Sequence, residues 1–241
     1  MPDQNRRDSV QAYYDSIYDR LGIGAQRRYP NEEFCRFLGS TWLNSTTRAQ
    51  RSSLRLLEVG CGSGANLWMA AREGFQAYGI DLSEKAVEVS RSVLASWGLE
   101  ADLLTGNMIS LPYPAAYFDV VCDVFSANCL DYSHFITFLG EVRRVLKQNG
   151  RFFFYTPSIA SDAFTNHAPA KLLDAYTLDG IKRHDSPYFG NDYNFRFLDP
   201  DLTPQLFHDC GLHIEQLEAV GRTYRSRAEY FEFVVGVATK H

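Results

Sequence analysis

Between the apolar residues Leu56, Leu57 and Val59 and the helix-like run that begins near Leu67, glycines stand at alternate positions, Gly60, Gly62 and Gly64. Glycine loses more conformational freedom on folding than any other residue, so a cluster of this kind needs a reason. A strand-to-helix turn that brings backbone N–H groups against a ligand supplies one. Asp81 follows at the end of the next apolar segment, about twenty residues on, where a carboxylate can accept hydrogen bonds from the vicinal hydroxyls of a ribose. Glu58-Val59-Gly60-Cys61-Gly62-Ser63-Gly64 fits an E-x-G-x-G-x-G pattern, while Gly60, Gly62 and Ala65 also satisfy the dinucleotide form GxGxxA. The alternative is a tight turn with no ligand at all.

Other residues carry chemistry only in context. His134, just after Asp131 and Tyr132, has the chemistry to deprotonate an acceptor hydroxyl, or is a solvated residue in a first helical turn. His167 and His184 fall in an irregular segment and have the same two readings, whereas His208 and His213 flank a helix and read as structural. That segment is dense in aromatics (Tyr188, Phe189, Tyr193, Phe195, Phe197) and carries Arg183, His184 and Arg196. Its aromatics are expected to wall an apolar pocket with one of those cations as a polar anchor, or else to form a satellite core or dimer contact.

Composition narrows the function. The chain has 241 residues, 45% of them hydrophobic, enough for one large domain over residues 1–241. A formal charge of −5 argues against a broad nucleic-acid surface. Cys35, Cys61, Cys122, Cys129 and Cys210 are scattered and form no CxxC pair, so no zinc site, metal or disulfide framework is expected. No apolar run approaches membrane-spanning length and the first residues do not read as a signal peptide. The expected setting is cytoplasmic, with no membrane or nucleic-acid partner.

The positioning elements follow from hydrophobic period. From Leu54 onward strands and helices alternate, which predicts a parallel α/β sheet covered on both faces. Strands are expected at 54–59, in "QAYGI", "ADLLT" and "YFDVVCDVF", in "RFFFYTP", and in "LHIEQLEAV" and "FEFVVGVAT". Ser83 is expected to cap a helix that buries Ala86, Val89, Val93 and Trp97. Phe135, Phe138, Leu139, Val142, Val145 and Leu146 share the face of another helix, which Gly150 ends. Thr203 and Pro204 read as the N-cap and first residue of a last one. Residues 1–50 form an N-terminal helical cap, with helices around 13–23 and 31–38, and residues 157–198 form an insertion of the kind that serves as a lid or binding loop.

The order "LLEVGCGSG", "YGIDLS", "TGNMISLPYPAAYFDVV", "EVRRVLKQNGRFFF" resembles the class I S-adenosylmethionine-dependent methyltransferases over residues 54–155, and more loosely over the last two strands. The resemblance implies a Rossmann-like α/β fold: a seven-stranded sheet with its last strand antiparallel and helices on both faces. It implies S-adenosylmethionine as methyl donor and S-adenosylhomocysteine as product, with no metal. Gly60, Gly62 and Gly64 would approach the methionine part, with Glu58, Cys61 and Asn66 around the loop. Asp81 would hold the ribose and Leu82 would lie against the adenine. Asn107 and Met108 would sit at the adenine edge and face, and Phe125 and Ser126 beneath the sulfonium. Asn107 stands where the family commonly has aspartate; its carbonyl oxygen still accepts. Tyr14 and Tyr18, with Tyr13, would close the site as N-terminal aromatics do in many relatives, and Tyr14, Tyr18 and His134 are the candidate catalytic groups. An arginine at 27 or 28, assigned to Arg28, would pair with the methionine carboxylate. The acceptor would be a small molecule contacted by Arg183, His184, Tyr188, Tyr193, Phe195 and Arg196.

Methyl transfer by in-line displacement needs alignment and exclusion of water more than acid–base help. The competing functions are a cofactor-binding module without catalysis and a nicotinamide-dependent oxidoreductase. The second fits poorly, because about fifty residues precede the glycine loop and the later segments do not match it. The expected assembly is a monomer or homodimer.

Overall fold

A computed structural model describes residues 2–240. Helix α1 (Pro2–Leu21) runs into a 3-10 turn at Gly22–Ala25, and α2 (Glu32–Leu38) into a π turn at Gly39–Leu43. Asn31 starts α2 by accepting from the N–H groups of Glu33 and Phe34 at 2.9 and 3.1 Å. The short α3 (Arg48–Arg51) leads into the alternating core. It contains β1 (Arg55–Val59), α4 (Ala65–Arg72), β2 (Gln76–Asp81), α5 (Glu84–Ser96), β3 (Asp102–Thr105), β4 (Phe118–Val124), α6 (Tyr132–Val145) and β5 (Leu146–Pro157). The insertion contributes α7 (Asp162–Thr165) and a two-stranded ribbon of β6 (Thr177–Leu178) and β7 (Phe195–Arg196). Helix α8 (Thr203–Asp209) and the long hairpin β8 (His213–Tyr224) and β9 (Glu229–Thr239) complete the chain.

The main sheet has seven strands in the order β3-β2-β1-β4-β5-β9-β8. The first five are parallel, and β9 runs antiparallel to both its neighbours. The chain enters at β1, winds outward to β3 and returns to β4 on the other side of β1. The strand order therefore reverses between β1 and β4, and a crevice opens at their carboxyl ends. Alternation along β1 sends Leu56 to one face and Leu57 and Val59 to the other, all fully buried. Phe34 and Phe37 of α2 close the first face against Phe153, while Phe138 of α6 and Phe207 of α8 close the second against Phe152.

Several sequence expectations shift here. Helix α6 stops at Val145, and Leu146–Gly150 already belong to β5, whose pairing with β4 jumps from Phe118↔Leu146 to Val120↔Arg151. The buried face of α5 is Ala86, Val87, Ser90 and Leu94, with Val89 and Val93 only part-buried and Trp97 exposed. Thr203 is the first residue of α8, after Leu202 as N-cap, and its hydroxyl donates to the Asp199 carbonyl at 2.7 Å.

Candidate functional site

A cavity of about 580 Å³ lies at the carboxyl ends of β1, β2 and β4. Such a volume lies within the usual range for small-molecule sites, roughly 300–1,000 Å³. Glu58 and Gly60 enter from β1, Asp81 from β2, Asn107 from the turn after β3 and Phe125 from the end of β4. Helix α1 and the insertion cover the opposite side.

The glycines of the loop do different work. Gly60 has φ +63°, and a Cβ there would stand 2.2 Å from Cβ of Ser126. Gly64 caps α4 at φ +77°, and its Cβ would fall 2.2 Å from Oγ of Ser90. That approach leaves no room for a side chain at position 64. Gly60 and Gly62 line the cavity, Gly64 does not, and a Cβ on Gly62 would stand 3.1 Å from the Tyr18 hydroxyl and 3.7 Å from Cγ of Gln26. The Gly62 N–H donates to Asp81 Oδ2 at 2.9 Å, and the Ser83 N–H donates to Asp81 Oδ1 at 2.9 Å. Each of these oxygens keeps a second lone pair for a ligand. Burial pushes the Asp81 carboxyl above its ordinary pKa, opposed by the Ser83 and Gly62 N–H groups.

Glu58 is 2% exposed. Asn66 donates to its Oε1 at 2.6 Å, and Oε2 has no partner among the described residues. Burial pushes its pKa up to about 8, against the opposing Asn66 bond and the nearby Arg27 guanidinium. An orphaned carboxylate oxygen on a cavity wall is costly unless something binds there. Leu82, Cys61, Met108 and Ser126 also line the cavity, and Asn107 Oδ1 accepts from the Ile109 N–H at 3.1 Å. Phe125 holds φ +65°, a strained conformation for a residue with a side chain, and its ring lies 4.8 Å from that of Tyr188. Asp123, which sequence reasoning passed over, anchors this turn: Oδ1 accepts from the N–H groups of Ser126 and Ala127 at 3.0 and 3.1 Å. Burial raises its pKa to about 6.

Helix α1 is fastened across the cavity at both rims. Asp15 and Asp19 pair with Ser83 and Lys85 around the start of α5. Tyr13 donates to Asn191 Oδ1 at 2.8 Å, and the Tyr14 and Tyr193 hydroxyls share a bond of 2.9 Å. The Tyr18 hydroxyl is buried in the cavity wall without a partner among the described residues, and burial raises its pKa. Cys129, beside Tyr14 and Tyr193, is pushed up to about 12 by burial. His134 lines the cavity from the first turn of α6, its Nδ1 2.9 Å from Asp131 Oδ1, which also caps that helix.

Other residues assigned to the site stand elsewhere. Arg28 lines a separate groove with Tyr29 and Trp97, and the arginine in the cavity is Arg27. Arg183 Nε pairs at 2.7 Å with Glu229, which is fully buried. His184 packs on Phe189, ring centroids 4.9 Å apart, outside the cavity. Arg196 is 2% exposed, its guanidinium 5.0 and 5.1 Å from the rings of Tyr132 and Phe135. Phe195 is fully buried between Phe125 and Phe197. Of the six residues assigned to the acceptor only Tyr188 and Tyr193 line the cavity, joined there by Asn191, Asp192 and Asn194. The density of aromatics in "SPYFGNDYNFRF" marks this loop but not which side chains it directs inward.

Among the described residues no three His, Cys, Asp or Glu side chains group as a cation site, and no helix is long and apolar enough to cross a membrane. Residues 57–154 match the family described as methyltransferase domain. Over 128 residues the chain is 34% identical to the fatty-acid O-methyltransferase of Mycolicibacterium smegmatis, covering 52% of this chain and 45% of that protein. Over 108 residues it is 33% identical to the phthiotriol/phenolphthiotriol dimycocerosates methyltransferase of Mycobacterium leprae, covering 44% and 38%. The matches thus span less than half the length of these curated relatives. The fold is shared with the Burkholderia thailandensis 1,6-didemethyltoxoflavin-N1-methyltransferase, solved with 1,6-didemethyltoxoflavin and S-adenosylhomocysteine. Its TM-score is 0.65 over 98% of this chain and 86% of that one, at 15% identity. The strand order and the loop between β1 and α4 give this chain the Rossmann-like fold of solved S-adenosylmethionine-dependent methyltransferases, and residues 57–154 match the methyltransferase-domain family.

Proposed function

We propose that this protein transfers a methyl group from S-adenosylmethionine to a hydroxyl, carboxyl or amino group of a small molecule, as one domain whose α1 cap and 157–198 insertion enclose the site. The observation that carries the reading is Glu58: a buried carboxylate with one unpartnered oxygen, beside the glycine loop and in one cavity with Asp81. These residues fit the cofactor. Glu58 Oε2 would accept from its ammonium group, and a positive charge placed there would draw the raised Glu58 pKa down. Arg27 would face its carboxylate, and the second lone pairs of Asp81 its ribose hydroxyls. Leu82 and Met108 would flank the adenine, with Asn107 at its edge. Bound there, S-adenosylmethionine supplies an activated methyl group on a sulfonium.

The chain's own part is positioning and exclusion of water. The bonds from Tyr13 and Tyr14 to the insertion hold α1 over the cavity. His134, whose Nδ1 lies 2.9 Å from Asp131 Oδ1, would take a proton from an acceptor. The names of the relatives, fatty-acid and phthiotriol methyltransferases, favour a small-molecule or lipid acceptor over a macromolecule. Incubation with methyl-labelled cofactor and a panel of hydroxyl, carboxyl and amino compounds tests the reading: label should move to at least one class. Tight cofactor binding with no transfer to any would favour a non-catalytic binding module.

A further inference from the structure

The charges around the cavity are unevenly divided. Arg27 is the one Lys or Arg lining it among the described residues, and it stands on the Glu58 side. The half beneath α1 and the insertion carries the carboxylates Asp131, Asp179 and Asp192. Asp131 holds the His134 ring, and Asp179 pairs with Lys182 at 2.6 Å. Asp192 is exposed at the rim and makes no ion pair among the described residues. Aromatic rings complete this half: Tyr13 lies 5.4 Å from Tyr14 and 5.1 Å from Tyr193, and Phe125 packs against Tyr188 with centroids 4.8 Å apart.

We propose that this half of the cavity recognises an acceptor as an organic cation, an alkyl- or arylammonium group, and rejects free carboxylates; the inference rests on the methyl-transfer reading above. Ring faces and a carboxylate rim attract a cation that has given up part of its hydration. An anion here would lose its water beside the Asp192 carboxylate, and among the described residues no Lys or Arg lines this half to receive it. A fatty acid, the substrate class in the name of the Mycolicibacterium relative, would bring its carboxylate into that surrounding. The acceptor of this chain therefore differs in charge from that one.

Calorimetry on the intact protein tests this with probes of one shape, added after saturation with S-adenosylhomocysteine: 2-phenylethylamine, 2-phenylethanol and phenylacetate. The amine is expected to bind at least about tenfold more tightly than the carboxylate. Asp192→Asn should reduce that advantage about threefold or more, and Asp192→Glu should retain it, with S-adenosylhomocysteine affinity unchanged in both. Equal or tighter binding of phenylacetate or the alcohol, no binding of the amine, or an unaltered advantage in Asp192→Asn would overturn the inference. Failure of S-adenosylhomocysteine itself to bind would bring down the methyl-transfer reading, and this inference with it. Its binding followed by a preference for the carboxylate would overturn the inference alone.

Discussion

Residues 54–155 and the two segments packed over them build one cavity by different means. The core places its groups through backbone: the Gly62 N–H on Asp81, the Ser83 N–H on the same carboxylate, and Asp123 on the turn that follows β4. The additions place theirs through side chains that meet across the chain, Tyr13 with Asn191 and Tyr14 with Tyr193, separated by 178 and 179 residues. Backbone-built geometry tolerates few substitutions and is written in local sequence. Side-chain-built geometry can be exchanged residue by residue, which suits a surface that selects the acceptor.

The sharpest way to break the contrast is inside the loop. Gly60→Ala places a methyl group against Cβ of Ser126 at a backbone angle that disfavours side chains. It should cost about 3 kcal/mol and lower the melting temperature by roughly 5–10 °C. Adding Ser126→Gly should recover part of that loss in thermal scans. If Gly60→Ala melts like the parent, the loop is not built by this contact.

Next comes Arg183, which the sequence reading assigns to the acceptor and the structure assigns to Glu229. Arg183→Met leaves a fully buried carboxylate without its partner and should destabilise by about 3 kcal/mol, with ligand binding unchanged. Chemical denaturation checks the first part and calorimetry the second. A stable variant with impaired acceptor binding would return Arg183 to the site. Asp81→Ala has the opposite profile: S-adenosylhomocysteine affinity falls about 10- to 100-fold, as charge-assisted bonds to the ligand are lost.

The smallest effect is expected at the clasp. Tyr13→Phe removes one bond between α1 and the insertion, worth about 1 kcal/mol. It should speed hydrogen exchange in α1 while leaving the protection of β1 and β4 unchanged. Equal acceleration in the sheet would mean that cap and core open as one unit.

The division also decides what was legible in the sequence. The sheet, the glycine loop and Asp81 follow from periods and spacings within some thirty residues, and the structure has them there. The buried face of α5 differs from the apolar stripe because it includes Ser90, a polar residue that no hydrophobic period marks. Leu146 kept the helical spacing of α6 yet belongs to β5, since an apolar residue fits either element at their junction. Arg183, Arg196 and Phe195 were read as ligand groups because the partners that absorb them, Glu229, Tyr132 and Phe125, lie far away in sequence. Choosing Arg27 over Arg28 likewise required the path of the chain after α1.

In the proposed function the unpartnered Oε2 of Glu58 accepts from the ammonium group of the cofactor. Burial pushes the pKa of Glu58 up to about 8, well above the usual carboxylate range, so that the free residue is mostly protonated at pH 7. A cation placed against it stabilises the ionised form, so binding at pH 7 expels the proton, and affinity rises with pH until Glu58 is ionised in the free protein as well. Titrating S-adenosylhomocysteine at pH 7 in buffers of different ionisation enthalpy measures this directly. The expected result is binding with release of most of one proton in the parent and of none in Glu58→Gln; no binding, or binding with the same proton balance in both proteins, would contradict it.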